Sequence, residues 1–278
     1  FKTLFVSTSS TVFTQTFNAS VKELVTSSLN SVAETVVFKE NRGGTRLFSA
    51  AKPESPIFIG AQIRDNLHSV GVGDCFDMVY VSLSKDNAVT TTLNYASWIA
   101  EEYSTTFDMD GFLKKVGNVL SLSPENINQL AGISLPWEER TKYNIYLAAP
   151  DFDYMDRTEI DRLADSLRYH KFTPRLPVRE NGQLTIGASA EERNRIFEAD
   201  MKTLAESQIL VGVILNGDQG TLVEIGLAKG LGIPTLVFDP FNKVVNLMLD
   251  ELPDLVSSSS SAIINAVFEK AHLLETNK

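Results

Sequence analysis

The apolar run Ile-Leu-Val-Gly-Val-Ile-Leu at residues 209–215 limits most strongly how this chain can fold. Such a run, with no charged side chain, is typical of a central strand in a parallel sheet, because helices cover both of its faces. The turn Asn-Gly-Asp-Gln-Gly at 216–220 follows, then a predicted helix over 221–232 and a second buried strand over 233–239. This alternation of strand and helix predicts an open parallel α/β sheet.

The segments before this run continue the same alternation. Residues 142–150 predict a buried strand, 156–169 a helix, and 171–178 a second strand that its prolines bend or confine to an edge. A helix is predicted over 190–206, and the side chains expected to face inward are Ile196, Phe197, Met201 and Leu204. Ligands of such sheets bind at the carboxyl ends of the strands, so we expect the turn at 216–220 to lie at the binding edge.

The first half of the chain resembles the second in its order of segments. Residues 77–100 align with residues 209–232 without a gap, so that Val79 coincides with Val211 and Asp86 with Asp218. We therefore predict two tandem flavodoxin-like or Rossmann-like domains with parallel sheets, the first a degenerate repeat of the second. Their expected bounds are 1–123 and 142–278, joined by a linker over 124–141, a polar stretch with two prolines.

Composition argues against several classes of function. A net charge of -10 disfavours a nucleic-acid polymer as partner, because such proteins cluster Lys and Arg. No apolar run is long enough to span a membrane. A single cysteine, Cys75, and three scattered histidines provide no metal-ligand spacing and no disulfide pair. We expect a cytoplasmic protein with no metal and no cofactor.

The residues with the most specific chemistry lie in Asp-Gln-Gly-Thr-Leu-Val-Glu-Ile-Gly-Leu-Ala, residues 218–228. Gly220 is expected to permit a tight turn and Thr221 to cap the helix. Gly226 and Ala228 would let that helix pack closely. Glu224 lies about one turn into the helix, where a lone glutamate would only complement the helix dipole. A functional role for Glu224 therefore has to be argued from the whole stretch 218–228 and not from the glutamate alone.

This stretch resembles the nucleoside 2-deoxyribosyltransferase family, and the resemblance covers about residues 142–250. The matching residues, in chain order, are Tyr146, Asp200, Asp218, Glu224 and Asn246-Leu247-Met248. The resemblance implies that Glu224 is the nucleophile and Asp200 the acid–base group. It also implies that Tyr146 orients Glu224 by a hydrogen bond and that Asp218 holds the edge of the base.

The resemblance further implies how the site is completed. We assign Asp218, Gly220, Thr221, Asn246 and Met248 to substrate binding, and the segment 246–248 would enter the site of a neighbouring subunit. The expected partners are small nucleosides, free nucleobases and a second copy of the chain.

Carboxyl groups suit the implied reaction. Breaking a 2-deoxyribosyl C1′–N bond develops positive charge at C1′, which a carboxylate stabilises and traps covalently. A second carboxyl group with a raised pKa supplies the proton that the leaving base needs. We therefore expect transfer of 2-deoxyribose between nucleobases through a glycosyl-enzyme on Glu224.

Two other functions remain open from the sequence. One is hydrolysis of nucleosides or nucleoside monophosphates, with a phosphate bound by arginines among Arg175, Arg179, Arg193 and Arg195. The other is a non-catalytic nucleotide-binding module. The first half of the chain is expected to be non-catalytic, because Thr92 aligns with Glu224 and Phe5 with Tyr146.

Overall fold

The computed structural model describes residues 2–184 and 187–276, and the chain divides into two compact units, 1–138 and 139–278. Each unit contains one β-sheet. Within the described ranges, no helix is long and apolar enough to cross a membrane.

The N-terminal unit is built on a mixed sheet in the order β1-β2-β3-β4. Strands β1 and β2 are parallel, and β3 pairs antiparallel with both β2 and β4. The strands are β1 (Thr3–Ser7), β2 (Thr35–Lys39), β3 (Thr45–Ser49) and β4 (Lys52–Ile59). The helices are α1 (Val21–Ser31), α2 (Val72–Leu83), α3 (Val89–Ser104), α4 (Met109–Leu120) and α5 (Pro124–Gln129).

This topology does not confirm the predicted repeat. The sheet is mixed rather than parallel. Residues 77–83, for which the alignment with 209–215 predicts a strand, belong to helix α2. Apolar side chains at every second position fit a strand, but Phe76 and Tyr80, one helical turn apart, are buried while Val81 is 57% exposed. Thr92 lies in α3, which follows a helix and not a strand, so it does not occupy a position equivalent to that of Glu224.

The segment 124–141, predicted as a linker, is folded and packed. Helix α5 begins at Pro124, and the side chains of Ile127 and Leu135 are fully buried. The backbone N–H of Trp137 donates a hydrogen bond to Glu40 Oε1 at 2.6 Å. The apolar side chains between the polar residues therefore make the end of this stretch part of the N-terminal core.

The C-terminal unit contains the predicted parallel sheet. All its paired strands are parallel, in the order β6-β5-β7-β8-β9. The strands are β5 (Asn144–Ala148), β6 (Thr173–Arg175), β7 (Ile209–Val213), β8 (Thr235–Phe238) and β9 (Leu255–Ser257). The helices are α6 (Thr158–Tyr169), α7 (Pro177–Asn181), α8 (Ala190–Ala205), α9 (Gln219–Gly230), α10 (Leu247–Glu251) and α11 (Ser260–Thr276).

Two details of this unit differ from the prediction. The strand expected over 171–178 ends at Arg175, and Pro177 begins the short helix α7, since proline suits the first turn of a helix. Phe197, expected to face inward, is 63% exposed, whereas Ile196 and Leu204 on the same helix are buried. Adjacent helical positions point about 100° apart, so Ile196 and Phe197 cannot both face the sheet.

The strand order places a crevice between β5 and β7. After β5 the chain turns to β6 on one side, and β7 then returns to the other side of β5. The loops at the carboxyl ends of β5 and β7 therefore diverge, and open α/β sheets bind ligands at this kind of position. Tyr146 lies on β5, and the turn at 216–220 follows β7.

Helix α9 packs closely on β7 because of a glycine in the strand. A Cβ on Gly212 would lie 2.5 Å from Ile225 Cδ1, which is a clash. Gly226, predicted to allow close packing, is exposed, and a Cβ there would have no atom within 4 Å. Ala228 is fully buried, as close packing of the helix requires. The close approach thus depends on the glycine of the strand and not on that of the helix.

Candidate active site

Tyr146 connects the sheet to the helix that follows β7. Its side chain is fully buried and packs in a core cluster with Leu210 and Ile225. Its hydroxyl group donates a hydrogen bond to Glu224 Oε1 at 2.7 Å. Burial and the neighbouring Glu224 raise the pKa of Tyr146 far above its usual range, so the phenol stays protonated and remains a donor. The hydrogen bond therefore holds one oxygen of Glu224 and leaves the other available.

Glu224 is a carboxyl group in a partly desolvated position. Burial raises its pKa to about 7, and the negative charges of Asp200 and Asp218 act in the same direction. The hydrogen bond from Tyr146 opposes this shift because it stabilises the ionised form. Glu224 therefore changes between its protonated and ionised forms close to neutral pH.

Asp200 is the second carboxyl group of the site. It is half-buried on α8, and its Oδ1 accepts a hydrogen bond from Asn181 Nδ2 at 2.8 Å. Burial raises the pKa of Asp200, and the hydrogen bond from Asn181 opposes this. The charge of Asp200 also raises the pKa values of Glu224 and Tyr146, so the three side chains are electrostatically coupled. The negative charge of Asp200 therefore favours the protonated form of Glu224.

Asp218 has a structural role that the sequence analysis assigned to Thr221. Asp218 is the N-cap of α9, and its Oδ2 accepts hydrogen bonds from Thr221 N at 2.7 Å and Thr221 Oγ1 at 2.9 Å. Gly220 lies inside the helix, where a Cβ would come within 3.2 Å of Asp218 Oδ2. Its small size therefore makes room for the cap, and it does not form the turn. Oδ1 of Asp218 is the oxygen not used in these cap bonds.

Asn246 and Met248 lie on the surface beyond β8. Asn246 is the N-cap of α10, and its Oδ1 accepts a hydrogen bond from Met248 N at 2.9 Å. The Met248 side chain is 66% exposed. No described hydrogen bond joins either residue to Glu224 or Asp200 within this single chain.

Several residues at this edge of the sheet were not predicted from the sequence. Asn181 is the last residue of α7, which follows the parallel strand β6. Its place after a parallel strand is the sequence feature that could have indicated a residue at the binding edge. Phe152 and Tyr154 follow β5 and stack with their ring centroids 5.5 Å apart. Arg179 pairs with Asp151, and Arg175 pairs with Glu180, so two of the four arginines considered for phosphate binding already have carboxylate partners.

Among the described residues, no group of three or more His, Cys, Asp or Glu side chains is arranged to hold a metal ion. The carboxyl groups of the site are connected to Tyr146, Asn181 and Thr221. This arrangement can present one ionised and one protonated carboxyl group to a substrate at the carboxyl ends of β5 and β7.

Comparison with known proteins bears on the C-terminal unit. Residues 145–266 match the family model described as nucleoside 2-deoxyribosyltransferase, which confirms for this half the resemblance seen in the sequence. No curated protein sequence matched the chain.

Several solved structures are similar to parts of the chain. A 2-deoxyribosyltransferase from Bacillus psychrosaccharolyticus is 26% identical, with 45% of this chain and 95% of that chain covered and a TM-score of 0.41. A conserved protein from Enterococcus faecalis V583 is 22% identical, with 46% and 98% covered and a TM-score of 0.37. A putative ribokinase II from E. coli is 16% identical, with 43% and 39% covered and a TM-score of 0.37.

Proposed function

We propose that the C-terminal unit, which matches the nucleoside 2-deoxyribosyltransferase family, transfers 2-deoxyribose between nucleobases with Glu224 as nucleophile. The observation that carries the proposal is the hydrogen bond from the buried Tyr146 hydroxyl to Glu224, with Asp200 as a second carboxyl group electrostatically coupled to both. Tyr146 holds Oε1, so Oε2 is the oxygen that attacks.

The first half of the reaction breaks the nucleoside. Oε2 of ionised Glu224 forms a bond to C1′, the C1′–N bond breaks, and its electron pair goes to the base nitrogen. Protonated Asp200 gives its proton to the base and becomes a carboxylate. The stacked rings of Phe152 and Tyr154, at the same edge of the sheet, provide a flat apolar surface for a base.

The second half reverses these steps with another base. A nitrogen of the incoming base bonds to C1′, the C1′–Oε2 bond breaks, and Glu224 leaves as a carboxylate. Asp200 recovers the proton that the incoming nitrogen loses. The pKa of about 7 for Glu224 makes it both an adequate nucleophile and an adequate leaving group near neutral pH.

Incubating the protein with deoxyadenosine, with and without free cytosine, tests this function. We expect adenine and deoxycytidine, detected by liquid chromatography, and release of adenine at least about a thousandfold slower in Glu224→Ala. Glu198→Ala, which removes an exposed carboxylate two residues from Asp200, is the matched control and should retain wild-type turnover. Free deoxyribose without deoxycytidine would identify a hydrolase, and binding without turnover would identify a non-catalytic module.

Comparison of deoxyadenosine with adenosine tests the sugar preference in the same assay. A 2′-hydroxyl group withdraws electrons from the positive charge developing at C1′ and crowds the nucleophile. Deoxyadenosine should therefore react far faster. The carboxylate partners of Arg175 and Arg179 support a neutral nucleoside over a nucleotide as substrate, because a phosphate would have to displace those ion pairs.

The exposed apolar side chains of the C-terminal unit support assembly with a second copy. Leu222, Val223, Leu227 and Leu231 form an exposed stripe along α9, the helix that contains Glu224. Val245, Leu247 and Met248 are exposed as well. Apolar surface of this extent is typical of a contact between chains. A homo-oligomer in which Asn246 and Met248 of one chain complete the site of the other would cover it.

A further inference from the structure

In the described part of the chain, one side chain binds the Asp200 carboxyl group. Asn181 Nδ2 donates to Asp200 Oδ1 at 2.8 Å, across the gap between α7 and α8. An amide nitrogen only donates, so Oδ1 must present a lone pair to it. The carbonyl oxygen of a protonated carboxyl group is a better acceptor than its hydroxyl oxygen, so this hydrogen bond favours the proton on Oδ2.

We propose that Asn181 is the positioning residue for Asp200, holding Oδ1 so that Oδ2 is the oxygen that passes a proton to and from the base. This inference rests on the proposed transfer reaction. As the proton leaves Oδ2, negative charge develops on the carboxyl group, and the hydrogen bond to Oδ1 becomes stronger. Asn181 thereby stabilises the aspartate that proton transfer produces.

The local charges show why such a donor is needed. The charge of Asp200 acts on the Glu224 carboxyl group on α9 and on the Tyr146 hydroxyl group on β5. Glu180 is the nearest charged neighbour of Asn181 in the chain. None of these supplies a positive charge. Burial disfavours the ionised aspartate, and among the described residues only Asn181 lowers the pKa of Asp200. Loss of this donor should therefore raise the pKa of Asp200 further and disfavour release of its proton.

The helix that contains Asn181 is anchored by the two residues before it. Arg179 donates to both oxygens of buried Asp151 at 2.5 and 2.7 Å and pairs with Asp161 at 2.7 Å. Glu180 accepts from Arg175 at 2.6 Å and from the backbone N–H of Leu176 at 2.9 Å. These contacts attach α7 to the end of β5, to α6 and to β6. Asn181 therefore presents its amide from a fixed backbone, as a positioning role requires.

Asn181→Leu tests the proposal, because leucine has nearly the same shape and no donor. We expect kcat to fall about tenfold, as for loss of one hydrogen bond to a carboxyl group, with KM little changed. The pKa of Asp200 should rise, so the alkaline limb of the kcat profile should move to higher pH. Asn181→Gln, which retains an amide donor, should recover part of kcat. Gln183→Ala is the matched control, since that amide contacts Asp153 N.

A double variant separates positioning from general damage. Arg179→Met should detach α7 from Asp151 and lower kcat. The double variant, Arg179→Met with Asn181→Leu, should be no slower than the slower single variant, because both substitutions act through the hydrogen bond from Asn181 to Asp200. Fully additive losses, or a wild-type pH profile in Asn181→Leu, would overturn the proposal.

NMR titration of the Asp200 carboxyl carbon in the wild type and in Asn181→Leu gives a readout that does not need turnover. If the protein releases no base, the proposed function fails. A higher pKa of Asp200 in Asn181→Leu than in the wild type would still establish that Asn181 lowers the pKa of Asp200. Equal pKa values in an active enzyme would overturn the positioning role alone.

Discussion

At the scale of single residues, each of the two carboxyl groups accepts a hydrogen bond on one oxygen. Tyr146 and Asn181 each bind one oxygen, of Glu224 and Asp200 respectively, and each opposes the effect of burial on the pKa. Each carboxyl group therefore has one oxygen outside these two hydrogen bonds. Burial raises the pKa of both groups, to about 7 for Glu224, and the two hydrogen bonds oppose that rise.

Tyr146→Phe should shift the pH dependence of turnover. Loss of the donor removes the interaction that lowers the pKa of Glu224, so this pKa should rise above its value of about 7. The nucleophile must be ionised, so the acid limb of the kcat profile should move to higher pH. Activity at pH 6.5 should fall about tenfold, and the deficit should narrow as the pH increases.

Tyr143→Phe is the control for this variant. Tyr143 lies just before β5, and its hydroxyl group bonds to Ala271 O and Glu275 Oε1 rather than to Glu224. Its pH profile should match that of the wild type. Overlapping profiles for Tyr146→Phe and the wild type would show that the Tyr146 hydroxyl group does not act on the nucleophile.

At the scale of elements, the position of Glu224 depends on how closely α9 approaches β7. The strand has a glycine where the helix places Ile225, the neighbour of Glu224 in the chain. A side chain at position 212 would have to displace the Ile225 side chain or the first turns of α9. We therefore expect a substitution at Gly212 to change the distance between Glu224 and Tyr146.

Gly212→Ala should destabilise the C-terminal unit by about 1–3 kcal/mol through overpacking against Ile225. Ile225→Val in the same chain should recover part of the loss, because it removes Cδ1, the atom that a new Cβ would meet at 2.5 Å. Both tryptophans, Trp98 and Trp137, lie in the N-terminal unit, so hydrogen exchange of the β7 amides is the suitable measurement.

Gly217→Ala is the matched control for that substitution. A Cβ at position 217 has no atom within 4 Å, so the free energy of opening at β7 should change by less than about 0.5 kcal/mol. An equal loss of protection in Gly212→Ala and Gly217→Ala would rule out the proposed contact as the cause.

At the scale of the whole molecule, complementation between chains tests the proposed assembly. Glu224→Ala and Asn246→Ala chains should each be nearly inactive. When the two are unfolded together and reassembled in equal amounts, half of the dimers are mixed, and each mixed dimer has one site with both residues intact. Recovery should therefore approach about a quarter of wild-type activity for an isologous dimer.

Two results would contradict this assembly. One is a monomer with full activity, measured by light scattering at the assay concentration. The other is an absence of recovery in mixtures that mass spectrometry shows to contain both variants. Either would mean that Asn246 acts within its own chain or has no role in the reaction.

The sequence by itself determined the parallel sheet of the C-terminal unit and the edge at which Tyr146 and Glu224 lie. These conclusions follow from local patterns: a continuous apolar run marks a central strand, and the turn after it must lie at the carboxyl edge. The helix cap was located within three residues, although Asp218 rather than Thr221 provides it.

Only the tertiary structure decided the fold of the N-terminal unit, because apolar residues at alternate positions in 77–83 fit a strand as well as the helix that buries Phe76 and Tyr80. It also decided which side chains meet across elements: Asn181 with Asp200, and Gly212 with Ile225. The physical reason is that periodicity along the chain specifies the type of an element and its buried face. The partners of a side chain on another element depend on how closely and at what angle the elements pack, and no local pattern contains that distance.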